Sequence, residues 1–243
     1  MNADLFPDQL RILPVSVIDI AAQLKRKNEN HDTTSSRANY SPFPEEISDL
    51  CYQFFLRDAK QIFDPFAGWG ERHVKAKEWD KEYTGVDISE TAIERAFEEF
   101  GVVNICADSL NYDIHEFDGL ITCPPYWNLE RYDGDGNLSH SKTWEQFLVG
   151  LHDIFEHCYA AARPDATFCI MAGDWRKSHK YYDLEYEICG MFKSFAADIV
   201  DKIIVSRKKV SKIKIMLPQA KRLGYSVKVH ESLLVFRKPS GAI

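Results

Sequence analysis

Residues 121–127 read Ile-Thr-Cys-Pro-Pro-Tyr-Trp, and this short run holds the most distinctive chemistry in the chain. Proline fixes φ at about −65° and has no amide hydrogen to donate. Pro124 and Pro125 therefore form a stiff turn whose carbonyls point outward in a set direction. Such a turn can hold a carbonyl against an amino group while the ring of Tyr126 takes the face of a planar base. An ordinary strand stop beside two core aromatics is the other reading of the same residues. The sequence upstream decides between them.

Gln61-Ile-Phe-Asp-Pro-Phe-Ala-Gly-Trp-Gly runs from a short apolar strand into a loop holding Gly68 and Gly70, and a helix from Glu71 to Trp79 follows. Strand, glycine-bearing turn and helix let backbone approach a bound nucleotide closely. The spacing has no third glycine and no Gly-Lys-Ser/Thr ending, so neither the dinucleotide fingerprint nor the phosphate-binding loop is present. Asp64 ends the strand, and a carboxylate there suits a cationic amino group. A second strand, from Tyr83, ends in Asp87, followed by Ile88, and an acid there is placed to hold a ribose diol. A third strand, Val102–Ile105, leads into Asp108 and Ser109, within reach of an adenine edge. A fourth, Gly119–Thr122, delivers the Pro-Pro loop. Any one of these acids alone reads as a helix cap. Three at successive strand ends, with the Pro-Pro loop at the fourth, argue for a site.

These residues resemble a known family. Asp64-Pro65-Phe66-Ala-Gly68-Trp-Gly70 is similar to the first motif of S-adenosylmethionine-dependent amino methyltransferases acting on DNA. Thr122-Cys123-Pro124-Pro125-Tyr126-Trp127 resembles their catalytic (Asp/Asn/Ser)-Pro-Pro-(Tyr/Phe/Trp) motif. Ser41-Pro-Phe43-Pro44-Glu-Glu resembles their upstream Pro-Phe-Pro motif, and Glu231-Ser-Leu-Leu-Val-Phe-Arg-Lys their antiparallel last strand. The resemblance implies an α/β, Rossmann-like sheet of seven strands, mostly parallel with an antiparallel last strand. It implies S-adenosylmethionine as cofactor, with its methionine amino group near Asp64 and its ribose near Asp87. The adenine would lie near Asp108 and Ser109, with Phe43 and Pro44 closing the far wall. It also implies transfer of a methyl group to an exocyclic amino group of a DNA base.

The sequence departs from the family at Cys123, where a better hydrogen-bond acceptor is usual. A thiol accepts weakly, so the Pro124 carbonyl would carry more of the task. A covalent nucleophile is the other reading of Cys123, but no activating base flanks it. A Ser-like thiol leans the target towards N4 of cytosine over N6 of adenine. Methylation of an RNA guanine or adenine amine, or a non-catalytic nucleic-acid-binding subunit, are alternative readings of the same motifs.

Composition sets the frame. The 243 residues are 45% hydrophobic and carry a net charge of −7. That suffices for the core of a single domain spanning 1–243, with insertions near 128–142 and 176–222 as candidate DNA-recognition elements. Six scattered cysteines with no C-x-x-C fit reduced thiols in a cytoplasmic protein and offer no metal site. No apolar stretch is long enough to span a membrane. Charge is unevenly spread. Beyond residue 200, eleven Lys and Arg face only Asp201 and Glu231. Arg207, Lys208, Lys209, Lys212, Lys214, Lys221 and Arg222 follow one another with no acid between them. Phosphate affinity follows local charge rather than the whole-chain sum. These residues, with Trp127 beside the loop, are therefore expected to contact DNA, and the spare length fits short or weak sequence recognition. No feature sets the oligomeric state.

Overall fold

The computed structural model describes residues 14–20, 43–129, 134, 136–177, 179–207 and 213–241. Among these, the strands in chain order are β1 (Val17–Ile20), β2 (Gln61–Asp64), β3 (Glu82–Asp87), β4 (Ile105–Cys106) and β5 (Phe117–Thr122). They continue with β6 (Ala162–Ala172), the short pair β7 (Trp175–Lys177) and β8 (Lys180–Tyr182), then β9 (Asp198–Arg207) and β10 (His230–Arg237). The helices are α1 (Glu45–Leu50), α2 (Glu71–Glu78), α3 (Glu90–Phe100), α4 (Trp144–Ala161), α5 (Leu184–Ser194) and α6 (Ile213–Leu223).

The main sheet runs β1-β9-β10-β6-β5-β2-β3-β4, with β7 and β8 forming a separate two-stranded hairpin. Strand β10 is antiparallel to both its neighbours, β6 and β9, and every other pair in the sheet is parallel. This is the mostly parallel, Rossmann-like α/β architecture that the motifs implied. The seven strands expected are β2 to β6, β9 and β10, and β1 adds an eighth alongside β9. Val17 pairs with Ile204 in that register, a partner far along the chain.

Strand periodicity divides the core into two layers. Leu120, Phe168, Ile170, Leu234 and Phe236 face Phe147, Leu151 and Phe155 of α4 and Phe192 of α5. Their neighbours Ile121, Cys169, Met171, Leu233 and Val235 face the other way, towards Ile47 and Leu50 of α1 and Ala76 of α2. Both faces are thus covered, which is why β6 and β10 read as unbroken apolar runs. Phe192 stacks on Phe236 with centroids 4.3 Å apart, and burying one such ring contributes about 1.5–3 kcal/mol.

Helix starts are set by side chains. Ser89 accepts the Ala92 amide at 3.1 Å to open α3, and Thr143 accepts the Gln146 amide at 3.2 Å to open α4. Each satisfies an amide that the helix itself leaves unpaired. Helix α1 runs on into a wider π turn at Cys51–Phe55. The stretch 176–222, expected to hold an insertion, contains the β7–β8 hairpin, α5 and the sheet strand β9. All six cysteines are free. Among the described residues, no helix is long and apolar enough to cross a membrane.

Candidate active site

Because β2 to β6 run parallel, their C-terminal ends meet along one edge of the sheet, where ligands of open α/β folds bind. A cleft open to solvent lies along that edge, with about 1050 Å³ of empty space when its mouth is counted in. Pro65, Phe66 and Gly68 enter it from the turn after β2, and Asp87 and Ile88 from the end of β3. Gly68 has φ +56°, and its amide donates to Asp87 Oδ2 at 2.7 Å. The Ser89 amide donates to Asp87 Oδ1 at 2.9 Å. Burial pushes the Asp87 carboxyl above the usual aspartate range, while these two amides pull it back. Beyond β4, Asp108 accepts the Leu110 amide and Ser109 donates to the Pro65 carbonyl at 2.6 Å. Phe43 and Pro44 close the opposite wall.

Three residues expected to touch a cofactor lie outside this lining: Asp64, Gly70 and Thr122. The Asp64 side chain is fully buried behind the wall. Its Oδ2 accepts from Arg72 Nε and from Tyr83 Oη, both at 2.6 Å. Its Oδ1 accepts from Thr122 Oγ1 at 2.6 Å and from the Phe66 amide at 3.0 Å. Four donors occupy a carboxylate that offers about four lone-pair sites. The cationic partner that this acid calls for is therefore the Arg72 guanidinium. Arg72 also donates to the Phe66 carbonyl at 2.6 Å, and its guanidinium lies 4.8 Å from the centre of the Phe43 ring. Burial disfavours its charge, but Asp64, Tyr83 and Cys123 outweigh that and hold its pKa above the usual arginine value. Gly70 serves packing: at φ +93°, a Cβ there would lie 2.7 Å from Val102 Cγ2 and 3.0 Å from Ala96 Cβ.

Cys123, Pro124, Pro125 and Tyr126 all line the cleft at the end of β5. The Cys123 sulfur lies 4.0 Å from the Pro124 carbonyl oxygen, oriented as a weak donor to it. Tyr126 Oη donates to Glu231 Oε1 at 2.7 Å, and its ring meets Trp175 edge-on with centroids 5.5 Å apart. Trp127 does not reach the surface expected of a DNA contact. It is buried against Trp144 and Tyr182, and its indole donates to the Ser141 carbonyl at 2.8 Å. Tyr126 faces the cleft and Trp127 the core, so the ring beside the loop holds the loop down.

No family model and no curated protein matches this chain. Solved structures do match in shape. The [4+2]-cyclase SpnF aligns with TM-score 0.55 at 15% identity, over 81% of this chain and 82% of its own. N-methyltransferase NodS from Bradyrhizobium japonicum, solved with S-adenosyl-L-homocysteine, aligns with TM-score 0.53 at 13% identity over 81% and 88%. TrmN from Thermus thermophilus aligns with TM-score 0.50 at 15% identity over 79% of this chain, which spans only 48% of TrmN. The fold is that of class I methyltransferases. One of these neighbours is a cyclase by name, so the methyltransferase fold alone does not fix the chemistry.

On this methyltransferase fold, several cleft residues were not among the expected site residues. Arg72 and Glu71 open α2, and Glu231 comes from β10, whose likeness to the family's last strand gave it no role. Ile154 and Met171 add apolar lining, and Gly136, Asn137 and Leu138 contribute from within 128–142, where a DNA-recognition insertion is expected. Asn137 accepts the Ser139 amide at 3.0 Å and its hydroxyl at 2.8 Å, fixing a single helical turn there.

The expected DNA contacts Lys208, Lys209 and Lys212 lie outside the described residues, as do the side chains of Arg207 and Lys214. A different cationic surface is described. On the β7–β8 hairpin, Arg176 lies 4.7 Å from the Tyr181 ring centre and 4.8 Å from that of Tyr225, with Lys228 5.0 Å from Tyr181. Lys177 Nζ donates to the carbonyl of Asn128 and, at 2.8 Å, to its side-chain oxygen. The hairpin is thereby tied to the chain just past Tyr126.

Proposed function

We propose that the protein transfers a methyl group from S-adenosylmethionine to an exocyclic amino group of a DNA base, N4 of cytosine before N6 of adenine. One observation carries this reading: a single cleft joins the strand-end acids Asp87 and Asp108 to the rigid Pro124-Pro125-Tyr126 loop. The acid wall suits a nucleoside, and the loop suits an amine on a flat ring. NodS, solved with S-adenosyl-L-homocysteine, supports the same cofactor class for this fold.

The residues present fit that cofactor. Asp87 would take the ribose hydroxyls, Asp108 and Ser109 the adenine edge, with Phe43 and Pro44 against the opposite side. Arg72 brings a fixed positive charge to the wall for the carboxylate, and Asp64 acts at one remove by holding Arg72 and the turn. Bound there, the cofactor supplies an activated methyl group, so the protein's task is chiefly alignment. An exocyclic amine conjugated to its ring is a poor nucleophile. Hydrogen bonds from its protons to the Pro124 carbonyl draw the nitrogen towards tetrahedral geometry and free its lone pair. Tyr126 presents a ring face for a base that has left the stack. The cations of the hairpin support a nucleic-acid substrate, since local positive charge attracts phosphate.

The test is to incubate purified protein with S-adenosylmethionine and unmethylated DNA, digest to nucleosides and weigh them by mass spectrometry. N4-methylcytosine is the expected product. Methylation of RNA alone under the same conditions would move the substrate assignment, and no methyl transfer to either would overturn the function.

A further inference from the structure

We propose that Glu231 is a catalytic residue: its carboxylate accepts the amino proton that the target gives up, the part Cys123 fills poorly. The inference rests on the function proposed above and goes beyond its motifs.

The cleft divides about the Pro-Pro loop. In the sheet, β2, β3 and β4 lie on one side of β5, while β6 and β10 lie on the other. Asp87 and Asp108 belong to the first side, where the nucleoside of a cofactor would sit. Glu231 is the carboxylate in the cleft wall on the second side. Strand β10 is two strands from β5, a backbone separation of about 10 Å, and the Tyr126 and Glu231 side chains meet across it. Its hydroxyl donates to Glu231 Oε1 at 2.7 Å, so the carboxylate stands at the rim of the ring on which a base would stack. The edge of that base, where its amino group is carried, would meet it.

The placement is fixed from behind. Glu231 pairs with Val205 in the β10–β9 ladder, and the next residue, Ser232, pairs with Ala172 of β6. Gly173 leaves space for both partners, since a Cβ there would lie 2.9 Å from Glu231 Cγ and 3.5 Å from Tyr126 Oη. Two ion pairs lie beside β10. Glu185 of α5 takes Lys202 of β9 at 2.7 Å and the Ser232 hydroxyl at 2.8 Å. Lys228 lies 3.5 Å from Asp174. Meanwhile the Cys123 thiol donates weakly to Pro124 and accepts poorly.

The step balances as follows. The amino nitrogen lone pair forms a bond to the methyl carbon. The carbon–sulfur bond breaks and its electron pair stays on sulfur as a thioether. As the new bond forms, the nitrogen gives one proton to the Glu231 carboxylate, so no charge builds up on the amine, and the carboxyl later passes that proton to solvent.

Glu231→Gln separates this role from a structural one, because the amide oxygen still accepts from Tyr126 but the group takes up no proton. Methyl transfer to DNA should fall roughly 100-fold or more, with cofactor affinity and melting temperature unchanged. A carboxylate base gives a pH–rate profile with an acid limb, and the Glu231→Gln profile should lack it. Tyr126→Phe cuts the bond to Glu231 and should slow the reaction while keeping that limb, and Glu231→Asp should keep it too. An E231Q rate within twofold of wild type, or a persisting acid limb, overturns the role of Glu231 and leaves the proposed function standing. Wild-type protein that methylates no base sinks both.

Discussion

Asp64→Asn tests whether the acid of the first motif works through Arg72 or touches the cofactor itself. The change keeps shape but removes the charge. Oδ1 can still accept from Thr122 and the Phe66 amide, whereas an amide nitrogen now faces two donors, Arg72 Nε and Tyr83 Oη. Arg72 becomes a buried charge without its counter-ion. Breaking a buried ion pair from one side costs about 3–5 kcal/mol, a large share of the roughly 5–15 kcal/mol that holds a typical domain folded. For a chain of this length each kcal/mol moves the melting temperature by about 2–4 °C, so a fall of about 10 °C is expected in thermal denaturation followed by circular dichroism. Thr122→Val removes one hydrogen bond to the same carboxylate and should cost only about 1–3 kcal/mol. Asp64→Leu combined with Arg72→Met replaces both charges and should recover most of the lost stability. Titration calorimetry with S-adenosylmethionine completes the comparison. If D64N melts within about 2 °C of wild type yet loses cofactor affinity tenfold, Asp64 is a direct ligand and the reasoning fails.

Three further outcomes are expected. Burial raises the Asp87 carboxyl pKa, so the folded protein takes up this proton at higher pH than the unfolded chain. That contribution to stability is present at acid pH and lost as pH rises through the raised value. The ribose contact needs the ionised form, so cofactor affinity should weaken on acidification through the same window, and Asp87→Asn should flatten that dependence in a calorimetric pH series. Gly70→Ala should destabilise by about 2 kcal/mol or more in urea titrations, because it combines a strained backbone with overpacking against Val102 and Ala96. Lys180 shares the hairpin with Arg176, 5.2 Å from the Tyr182 ring centre, so Arg176→Ala with Lys180→Ala should weaken DNA binding across unrelated sequences, and each lost phosphate contact should reduce the salt slope by about 1. A slope unchanged from wild type in fluorescence anisotropy would remove the hairpin from the binding surface.

Local pattern carried much of the architecture. The turn after β2, the acids ending β3 and β4 and the Pro-Pro loop all follow from chemistry within a few residues, and most of the cleft wall comes from them. What stayed hidden depends on pairings across the chain. Asp64 read as a ligand because its partner sits on the next helix, and nothing in a loop sequence says that Arg72 folds back onto it. Tyr126 and Glu231 are 105 residues apart, and they meet only because β10 inserts between β6 and β9. Strand β1 is four residues long, too short for its alternation to stand out before its partner is known. Trp127 was misread for a simpler reason. Neighbouring aromatics beside a loop can face opposite ways, and composition does not say which one turns inward.

The insertion of β10 also orders the events of synthesis. Strands β2 to β6 leave the ribosome early and can pair with one another at once. Strand β1 emerges before them, yet its partner β9 comes much later, and β9 joins the rest only through β10, the last strand of the sheet to be made. Until then β6 and β9 are open edges rich in apolar residues, the kind that pair with other chains. The half of the cleft built from Glu231 is missing over the same interval. A nascent chain therefore completes the wall on the Asp87 side well before the wall that meets the target, and it gains a whole site only as β10 docks.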